Sequence, residues 1–355
     1  MKEVRIGIIG TGGIANAEHI PAYLGLADQG VRIAAICDIK PEAMEKTVVR
    51  YPALADVPRF EAFGNMLADA ELDAVSVCTP NNAHMPATVA ALRAGKHVLC
   101  EKPIARNARE GQAMIRAAKR YRRKLMIGLN NRWNTWVQTV KRAIDAGKLG
   151  DIYYARAQAL RRREIPGWGN FIDKEVQGGG PLIDIGVHIL DLTLYLMGFP
   201  EPVAVSAQVA TKFGNRSGVI GLWGQWDPKK YTVEDWAVGF VRFANGASLV
   251  LEASFASNIS EPKFESTLLG TKGGAEVLAG KLFTEEAGTL WDLAPYGLAK
   301  QRTHTVEIAK FVQSVREDKP VPVPAEEAIM TTRILDAMYR SAETGREVRL
   351  TKSRV

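Results

Sequence analysis

The sequence has few cysteines and no long apolar run. Three cysteines occur in 355 residues, and they are far apart: Cys37, Cys78 and Cys100. Because their spacing fits neither a disulfide framework nor a metal site, we expect reduced thiols in a core and no bound metal. No apolar stretch approaches the length of a membrane span, which argues against a membrane partner. The chain enters a strand-like run directly, without the pattern of a signal peptide, so we expect a cytoplasmic protein.

The sequence also lacks a recognisable nucleic-acid-binding module, an internal repeat and a low-complexity tract. The formal net charge is +7, which suggests an anionic ligand or partner. The densest basic run is short, Arg161-Arg162-Arg163, and no basic helix carries interleaved aromatic residues. We therefore expect no nucleic-acid partner.

The composition that is present is that of a soluble globular protein. Hydrophobic residues make up 46% of the chain and charged residues 24%, and its length exceeds that of one ordinary domain. Up to about residue 130, strand patterns alternate with helical patterns, as in a doubly wound parallel sheet. We expect an α/β Rossmann domain at 1–130 and a bridging helix to about residue 148. An α+β domain with a large, mostly antiparallel open sheet is expected at 149–355, where several strands of alternating pattern follow one another.

A glycine-rich loop follows the first predicted strand. Gly10-Thr11-Gly12-Gly13-Ile14-Ala15 is a G-x-G-x-x-A sequence between a strand and an Ala-rich helix. Such a loop binds a dinucleotide: Gly10 makes the tight turn, Gly12 admits the pyrophosphate, and Ala15 allows the helix to pack closely on the strand. The start of the helix presents free N–H groups and the positive end of its dipole to the phosphates, at Gly13 and Ile14.

A carboxylate follows the second predicted strand. Asp38 comes directly after Val31–Cys37, where an acidic residue accepts hydrogen bonds from the adenosine ribose and repels a 2′-phosphate. This position favours NAD over NADP. Lys40 leaves NADP open, because a nearby cation can accommodate that phosphate. The alternative interpretation of Asp38 is an ordinary turn residue.

Polar residues follow several further strands of the predicted parallel sheet. Ligands of such sheets lie beyond the carboxyl ends of the strands, so these residues outline one site together with Asp38: Thr79-Pro80-Asn81, Lys102 and Asn130. Lys102 lies between Glu101 and Pro103, where a stiff backbone can hold its ammonium near a reacting oxygen. The bond between Lys102 and Pro103 is a candidate cis peptide. The alternative is a surface lysine at a strand end.

The most informative stretch of the second half is Gly178-Gly179-Gly180-Pro181, after which apolar residues recur at helical spacing. Three glycines let the backbone approach another group closely, and proline suits the first turn of a helix. The predicted helix Leu182–Met197 carries Asp184, His188 and Asp191 on one face. A carboxylate one turn before a histidine can orient the ring and raise its basicity. The alternative is a helix start with a satisfied polar stripe.

In this order and spacing, the motifs resemble those of the glucose–fructose oxidoreductase / inositol dehydrogenase / MocA (Gfo/Idh/MocA) oxidoreductases over nearly the whole chain. The resemblance is carried by Gly10-Thr11-Gly12-Gly13-Ile14-Ala15, Thr79-Pro80-Asn81-Asn82-Ala83-His84, Glu101-Lys102-Pro103 and the run from Gly178 to His188. It implies NAD(P)-dependent interconversion of an alcohol and a carbonyl, usually on a sugar, cyclitol or sugar derivative.

The resemblance also implies roles for particular residues. Lys102, Asp184 and His188 would face the substrate across the nicotinamide, as catalytic and substrate-binding residues. A neutral His188, oriented by Asp184, takes the hydroxyl proton, while Lys102 stabilises the oxyanion or relays the proton. The motifs and the resemblance together assign the following residues to the cofactor: Gly10, Gly12, Gly13, Ile14, Asp38, Thr79, Pro80, Asn81, His84, Glu101, Lys102, Asn130 and Trp168.

The substrate is less well defined by the sequence. The loop at 161–171 is basic and aromatic, so Trp168 suits a saccharide face and Arg163 an anionic substituent, with a solvated basic edge as the alternative. Oxidation of a glycoside at C3, of inositol or of glucose fits the same residues. Two other functions remain open: an NAD-dependent glycoside hydrolase that oxidises its substrate transiently, and a non-catalytic NAD-binding regulator. A homodimer or homotetramer through the second-domain sheet is expected, since the far face of that sheet needs cover.

Overall fold

The computed structural model describes residues 3–351, which divide into two units. One unit comprises the chain up to Asn130 together with Arg302–Ile329, and the other comprises Asn131–Gln301 and the chain from Met330 onward. The strands of residues 3–351 are β1 (Val4–Ile9), β2 (Val31–Cys37), β3 (Arg59–Phe60), β4 (Ala74–Val77), β5 (His97–Glu101), β6 (Leu125–Gly128), β7 (Ile152–Leu160), β8 (Pro202–Ala210), β9 (Trp236–Phe243), β10 (Ser248–Ser254), β11 (Lys263–Gly270), β12 (Gly273–Glu276), β13 (Lys281–Glu286), β14 (Thr289–Leu293) and β15 (Val348–Arg349).

Helices of three kinds occur in the same part of the chain. The α-helices are α1 (Ile20–Leu24), α2 (Pro41–Arg50), α3 (Phe63–Asp69), α4 (Asn81–Arg93), α5 (Ala108–Tyr121), α6 (Thr135–Asp145), α7 (Lys174–Gln177), α8 (Val187–Met197), α9 (Thr303–Arg316) and α10 (Ala325–Thr344). Two π-helical turns cover Ala15–His19 and Leu182–Gly186, and 3₁₀ turns cover Ala27–Gln29, Pro52–Leu54, Asn130–Trp133 and Pro228–Lys230.

The first unit is built on a parallel sheet of six strands in the order β3-β2-β1-β4-β5-β6. This is the strand order of the Rossmann fold, and it confirms the predicted class of the first half. The chain order reverses between β1 and β4, so the loops that follow these two strands lie at the topological switch point. The glycine-rich loop after β1 and the turn at Thr79 after β4 therefore lie at the edge where such sheets bind ligands.

The first unit also contains a late segment of the chain. Helix α9 packs against β1, β6 and α1, with Ile308, Phe311 and Val312 buried. The main segment of this unit ends at Asn130, close to the predicted boundary. The prediction that 149–355 form one second domain differs from the structure, because the apolar face of α9 is buried on the first sheet.

The second unit is built on a sheet of nine strands in the order β14-β13-β12-β11-β7-β10-β9-β8-β15. All pairs are antiparallel except β7 with β10, so the predicted mostly antiparallel sheet is confirmed. Helix α8 packs on β7 and β11. On β7 the side chains buried on this face are small, which lets the helix approach the sheet closely: Ala155, Ala157 and Ala159.

Two predicted helices are more irregular than their sequences indicate. The helix after the glycine loop begins as a π turn in which Ile20 N–H donates to the Ala15 carbonyl, because Pro21 has no N–H to continue an α-helical ladder. The predicted helix Leu182–Met197 is likewise a π turn followed by α8. The stretch Lys174–Met197 is long and apolar enough to cross a membrane by length and composition, but 78% of its most apolar window is buried inside the fold, as in a core helix.

Candidate active site

The glycine-rich loop is held on one side and open on the other. Gly10 has a φ of +90°, and a Cβ there would lie 2.7 Å from the Cys78 carbonyl oxygen. Beside Gly12 and Gly13 an added Cβ would meet no atom within 4 Å. The Asn16 amide donates to the Thr11 carbonyl over 2.6 Å and fixes the loop from the helix side. The open side of the loop, next to half-buried Ile14, therefore fits the pyrophosphate of a dinucleotide.

Asp38 connects the end of β2 to this loop. Its Oδ2 accepts hydrogen bonds from the Thr11 N–H over 2.8 Å and from the Thr11 hydroxyl over 3.1 Å. Its Oδ1 accepts from the Lys40 N–H over 2.9 Å. The side chain is half-buried. Asp38 thus places a carboxylate beside the glycine loop, at the position expected for the ribose ligand.

The turn Thr79-Pro80-Asn81 leads into α4, and His84 lies in the first turns of that helix. His84 is fully buried, with Nε2 2.9 Å from the Thr79 carbonyl and Nδ1 2.8 Å from the Pro103 carbonyl. Burial lowers its pKa. We expected His84 to line the cofactor, but its ring is enclosed by protein and braces two loops at the sheet edge instead. The Lys102–Pro103 peptide, in the second of these loops, is cis.

Glu101 and Lys102 end strand β5. Glu101 is buried, and its Oε1 lies 2.8 Å from Nε2 of His19, a buried residue of the first π turn. Its Oε2 accepts from the Lys102 N–H over 3.2 Å. Burial acts to raise the pKa of Glu101, but the hydrogen bond and charge of His19 lower it to about 2. Glu101 is therefore an anion directly beside Lys102, which is half-buried.

Asn130, the last residue of the predicted edge, is directed to α9. Its Nδ2 donates to the Thr303 hydroxyl over 2.7 Å and lies 3.4 Å from His304 Nδ1. The side chain is buried. Asn130 therefore fixes the start of α9 within the first unit, a role for which its strand-end position alone gives no signal.

In the second unit, Asp184 lies in the π turn and His188 in the first turn of α8. Both side chains are half-buried and stand one helical turn apart. The Arg161 guanidinium lies 3.9 Å from Asp184 Oδ2. Asp191 was predicted on the same helix face, but its carboxylate is buried and paired with Arg132 over 2.7 and 2.8 Å. Asp184 and His188, unlike Asp191, thus retain access to solvent.

Two residues of the triple glycine, Gly179 and Gly180, are required by packing inside the second unit. Both Glu234 carboxylate oxygens lie 3.0 Å from the Gly180 N–H, and Oε1 also accepts from the Leu182 N–H over 3.1 Å and from the Tyr339 hydroxyl over 2.8 Å. A Cβ on Gly179 would clash with Tyr339, and one on Gly180 would clash with the Glu234 backbone. The glycines therefore make room for Tyr339 and the Glu234 backbone, and the buried Glu234 side chain holds the start of the π turn at Leu182–Gly186.

An aromatic surface lies next to Asp184. The Trp168 and Trp223 rings have centroids 5.7 Å apart, and both side chains are exposed to solvent. The Arg161 guanidinium lies 4.3 Å above the Trp223 ring and links this surface to Asp184. Arg163, the predicted substrate ligand, is engaged elsewhere: it stacks on Phe213 and donates to the Ser257 carbonyl over 2.9 Å.

Sequence reasoning missed four residues that shape the candidate sites of the two units. Arg161 was noted only as part of a basic run, and Glu234, Trp223 and His19 were not considered. Buried carboxylates and histidines have no local pattern, because their partners lie far away in the sequence. In residues 3–351 no cluster of three or more histidine, cysteine, aspartate or glutamate side chains is arranged to hold a metal ion.

Comparison with known proteins assigns the chain to a family. Residues 4–129 match an oxidoreductase family with an NAD-binding Rossmann fold, Gfo/Idh/MocA, and residues 141–350 match its C-terminal alpha/beta domain. Over 98% of this chain and 97% of the relative, the sequence is 36% identical to the D-glucoside 3-dehydrogenase of Escherichia coli. It is 30% identical to the scyllo-inositol 2-dehydrogenase (NADP(+)) of Bacillus subtilis, over 98% of this chain and 96% of the relative.

A solved structure gives the same result. The aldose-aldose oxidoreductase from Caulobacter crescentus, crystallised with glycerol, has a TM-score of 0.80 at 26% identity, covering 98% of this chain and 100% of that one. The match of both family domains, the Rossmann strand order and the retained motifs agree. The chain belongs to the Gfo/Idh/MocA oxidoreductase family and is an NAD(P)-dependent oxidoreductase.

Proposed function

We propose that the protein oxidises a secondary ring hydroxyl of a glycoside to a ketone, and reduces the ketone in the reverse direction. The observation that carries this proposal is the half-buried pair of Asp184 and His188, one turn apart on a helix whose start is fixed by Glu234. A neutral histidine beside a carboxylate is suited to take a hydroxyl proton. Inositol-type substrates follow as the second class.

In this proposal, residues of the protein bind and orient the substrate and transfer the proton of its hydroxyl. His188 accepts the hydroxyl proton at Nε2, because its Nδ1 is buried, and Asp184 stabilises the resulting imidazolium. The Lys102 ammonium stabilises the developing alkoxide. When bound, NAD supplies the hydride acceptor. Its fit is supported by the open space beside Gly12 and Gly13 and by the Asp38 carboxylate at the end of β2.

We propose NAD rather than NADP as the cofactor. Asp38 is an anion at the ribose position, and a second anion there, the 2′-phosphate, would be repelled. The relative from Bacillus subtilis is described with NADP(+), so the preference differs within the family and is set locally. Thr11 and Lys40 keep the carboxylate in place through their N–H groups.

The glycoside class is supported by the aromatic surface of the second unit. Indole rings stack on the apolar faces of hexose rings, and Trp168 and Trp223 are exposed to solvent beside Arg161. The relative that is 36% identical is described as a D-glucoside 3-dehydrogenase, which makes the C3 hydroxyl of a glucoside the first substrate to test.

The test measures NADH formation with NAD or NADP and a panel of glucosides, free aldoses, sugar acids and inositols. We expect turnover with NAD and a glucoside, and in Lys102→Ala a loss on the order of 10²-fold or more in kcat with NAD binding retained. The matched control is Lys46→Ala, an exposed lysine of α2, which should behave as the wild type. Unchanged turnover in Lys102→Ala, or glycoside cleavage without net NADH, would contradict the proposal.

We also propose that the protein is a cytoplasmic homo-oligomer that associates through its second sheet. The face of that sheet opposite α8 carries partly exposed apolar side chains: Tyr154, Val238, Phe240, Val250 and Leu269. A second copy of the same face would cover them.

A further inference from the structure

A hydrogen-bonded chain of buried side chains runs behind Lys102. Tyr23 Oη lies 2.7 Å from Ser76 Oγ, which lies 3.2 Å from His19 Nδ1. His19 Nε2 lies 2.8 Å from Glu101 Oε1, and Glu101 Oε2 accepts from the Lys102 N–H. Tyr23, His19 and Ser76 are all 0% exposed. This series of hydrogen bonds ends at Lys102, to which the proposed function assigns oxyanion stabilisation. Its other members lie inside the protein.

Burying the ionised Glu101 carboxylate costs free energy unless hydrogen-bond donors compensate for it. A carboxylate removed from water is neutralised unless hydrogen bonds and charges compensate for the lost hydration. His19 supplies such a bond from the π turn, and Lys102 supplies a second through its own N–H. The fit is close, since a Cβ on Gly128 of the neighbouring strand would lie 3.0 Å from Glu101 Oε1. The carboxylate is thus fixed in one orientation as well as in one charge state.

We propose that His19 is a positioning residue of the reaction: by hydrogen bonding to Glu101, it keeps that carboxylate ionised and oriented, and thereby places Lys102. This inference rests on the proposed function, because it assumes that Lys102 acts on the substrate oxygen. His19 contacts Glu101 directly. Its effect on Lys102, and so on turnover, therefore passes through the Glu101 carboxylate. The π turn Ala15–His19 thus follows the glycine loop directly and, through His19 and Glu101, also orients Lys102.

Several other titratable groups face this pair. Cys78, His304, Lys102, Cys100 and His84 act electrostatically on Glu101 or on its partner His19. None of them replaces the bond from His19 to Glu101 Oε1, because that oxygen is reached from the π turn. Once His19 is lost, burial still acts to raise the pKa of Glu101, and among the groups named here only the charges of His304 and Lys102, whose effects are smaller, oppose it, so this pKa should rise.

The sign of the pH effect follows from this shift. In the wild type, Glu101 remains ionised at every pH of a kinetic profile between about pH 5 and 9. In His19→Leu, a neutral Glu101 accumulates as the pH falls, so the acidic limb of the kcat profile should begin at a higher pH than in the wild type, and kcat should recover as the pH rises. A misplaced lysine loses on the order of 10²-fold, so we expect roughly that loss at the acidic end.

The test compares kcat, KM and NAD affinity of His19→Leu, His19→Gln and Glu101→Gln across the pH range. The glutamine amide can still donate to Glu101, so the acidic limb of His19→Gln should lie between those of the wild type and His19→Leu. In the Glu101→Gln background, His19→Leu should lower kcat less than about twofold further, since coupled residues are non-additive. His97→Leu is the matched control: it removes a half-buried histidine of the same strand β5 and should leave the shape of the profile unchanged.

The proposal is overturned if His19→Leu lowers kcat equally at all pH values, or if its loss adds in full to that of Glu101→Gln. If His19→Leu does not fold, a His19→Gln profile parallel to the wild type overturns it in the same way. Failure of the proposed function is distinguishable, because turnover would then be insensitive to Lys102→Ala whatever the His19 variants do.

Discussion

At the scale of single residues, Asp38 serves two purposes with one carboxylate. It fastens the glycine loop through the Thr11 N–H and hydroxyl, and it places negative charge at the end of β2. The first purpose needs an acceptor and the second needs a charge. The two can therefore be separated by a substitution that keeps the acceptor and removes the charge.

Asp38→Asn is that substitution. We expect the ratio of kcat/KM with NADP to kcat/KM with NAD to rise about tenfold or more, because the repulsion of the 2′-phosphate is lost while an amide oxygen can still accept from Thr11. Steady-state kinetics with both cofactors measures the ratio. Asp28→Asn, in the exposed turn after α1, is the control that should leave it unchanged. An unaltered ratio in Asp38→Asn would remove Asp38 from cofactor selection.

At the scale of elements, the start of the π turn Leu182–Gly186 depends on groups that are distant in the sequence. Glu234 and Tyr339 converge on the backbone of Gly180, and the glycines leave room for them. Burial raises the pKa of Glu234, and the N–H of Gly180 and the Tyr339 hydroxyl oppose that rise. Asp184 is therefore held in place by a carboxylate that is itself stabilised by one tyrosine.

Tyr339→Phe removes a single donor from this carboxylate. We expect the free energy of unfolding to fall by about 0.5–1.5 kcal/mol, because the buried Glu234 Oε1 loses one of its three donors. Equilibrium unfolding in urea measures the change, and Tyr296→Phe, at a fully exposed tyrosine, is the control that should change nothing. A stability equal to that of the wild type would mean that the backbone N–H groups suffice for Glu234.

The elements also separate what the sequence could predict from what it could not. Strand β2 has the predicted bounds, Val31–Cys37, because its apolar run is buried along almost its whole length. Strands β13 and β14 were not predicted: all of Thr289–Leu293 is exposed at the sheet edge, so no alternation marks it. In the site, backbone motifs such as the glycine loop were recognisable. His19, Glu234 and the bracing role of His84 were not, since they depend on tertiary contacts.

At the scale of the whole molecule, the proposed self-association uses the face of the second sheet opposite α8. Val250 lies near the middle of that face, between Arg156 of β7 and Phe240 of β9. Val250→Lys should therefore shift the solution mass toward the monomer, because a buried ammonium in an interface is costly. Size-exclusion chromatography with light scattering measures the mass. Val49→Lys adds the same charge at an exposed position of α2 and should leave it unchanged. If Val250→Lys keeps the wild-type mass, the proposed interface is wrong.

The return of α9 to the first sheet has a consequence for how the protein is made. A ribosome releases the six parallel strands of the first unit long before it releases Thr303–Arg316. Until then, the surfaces of β1 and β6 that α9 covers remain open to other partners, including chaperones. The first unit is thus completed only after strands β7 to β14 of the second sheet have been translated.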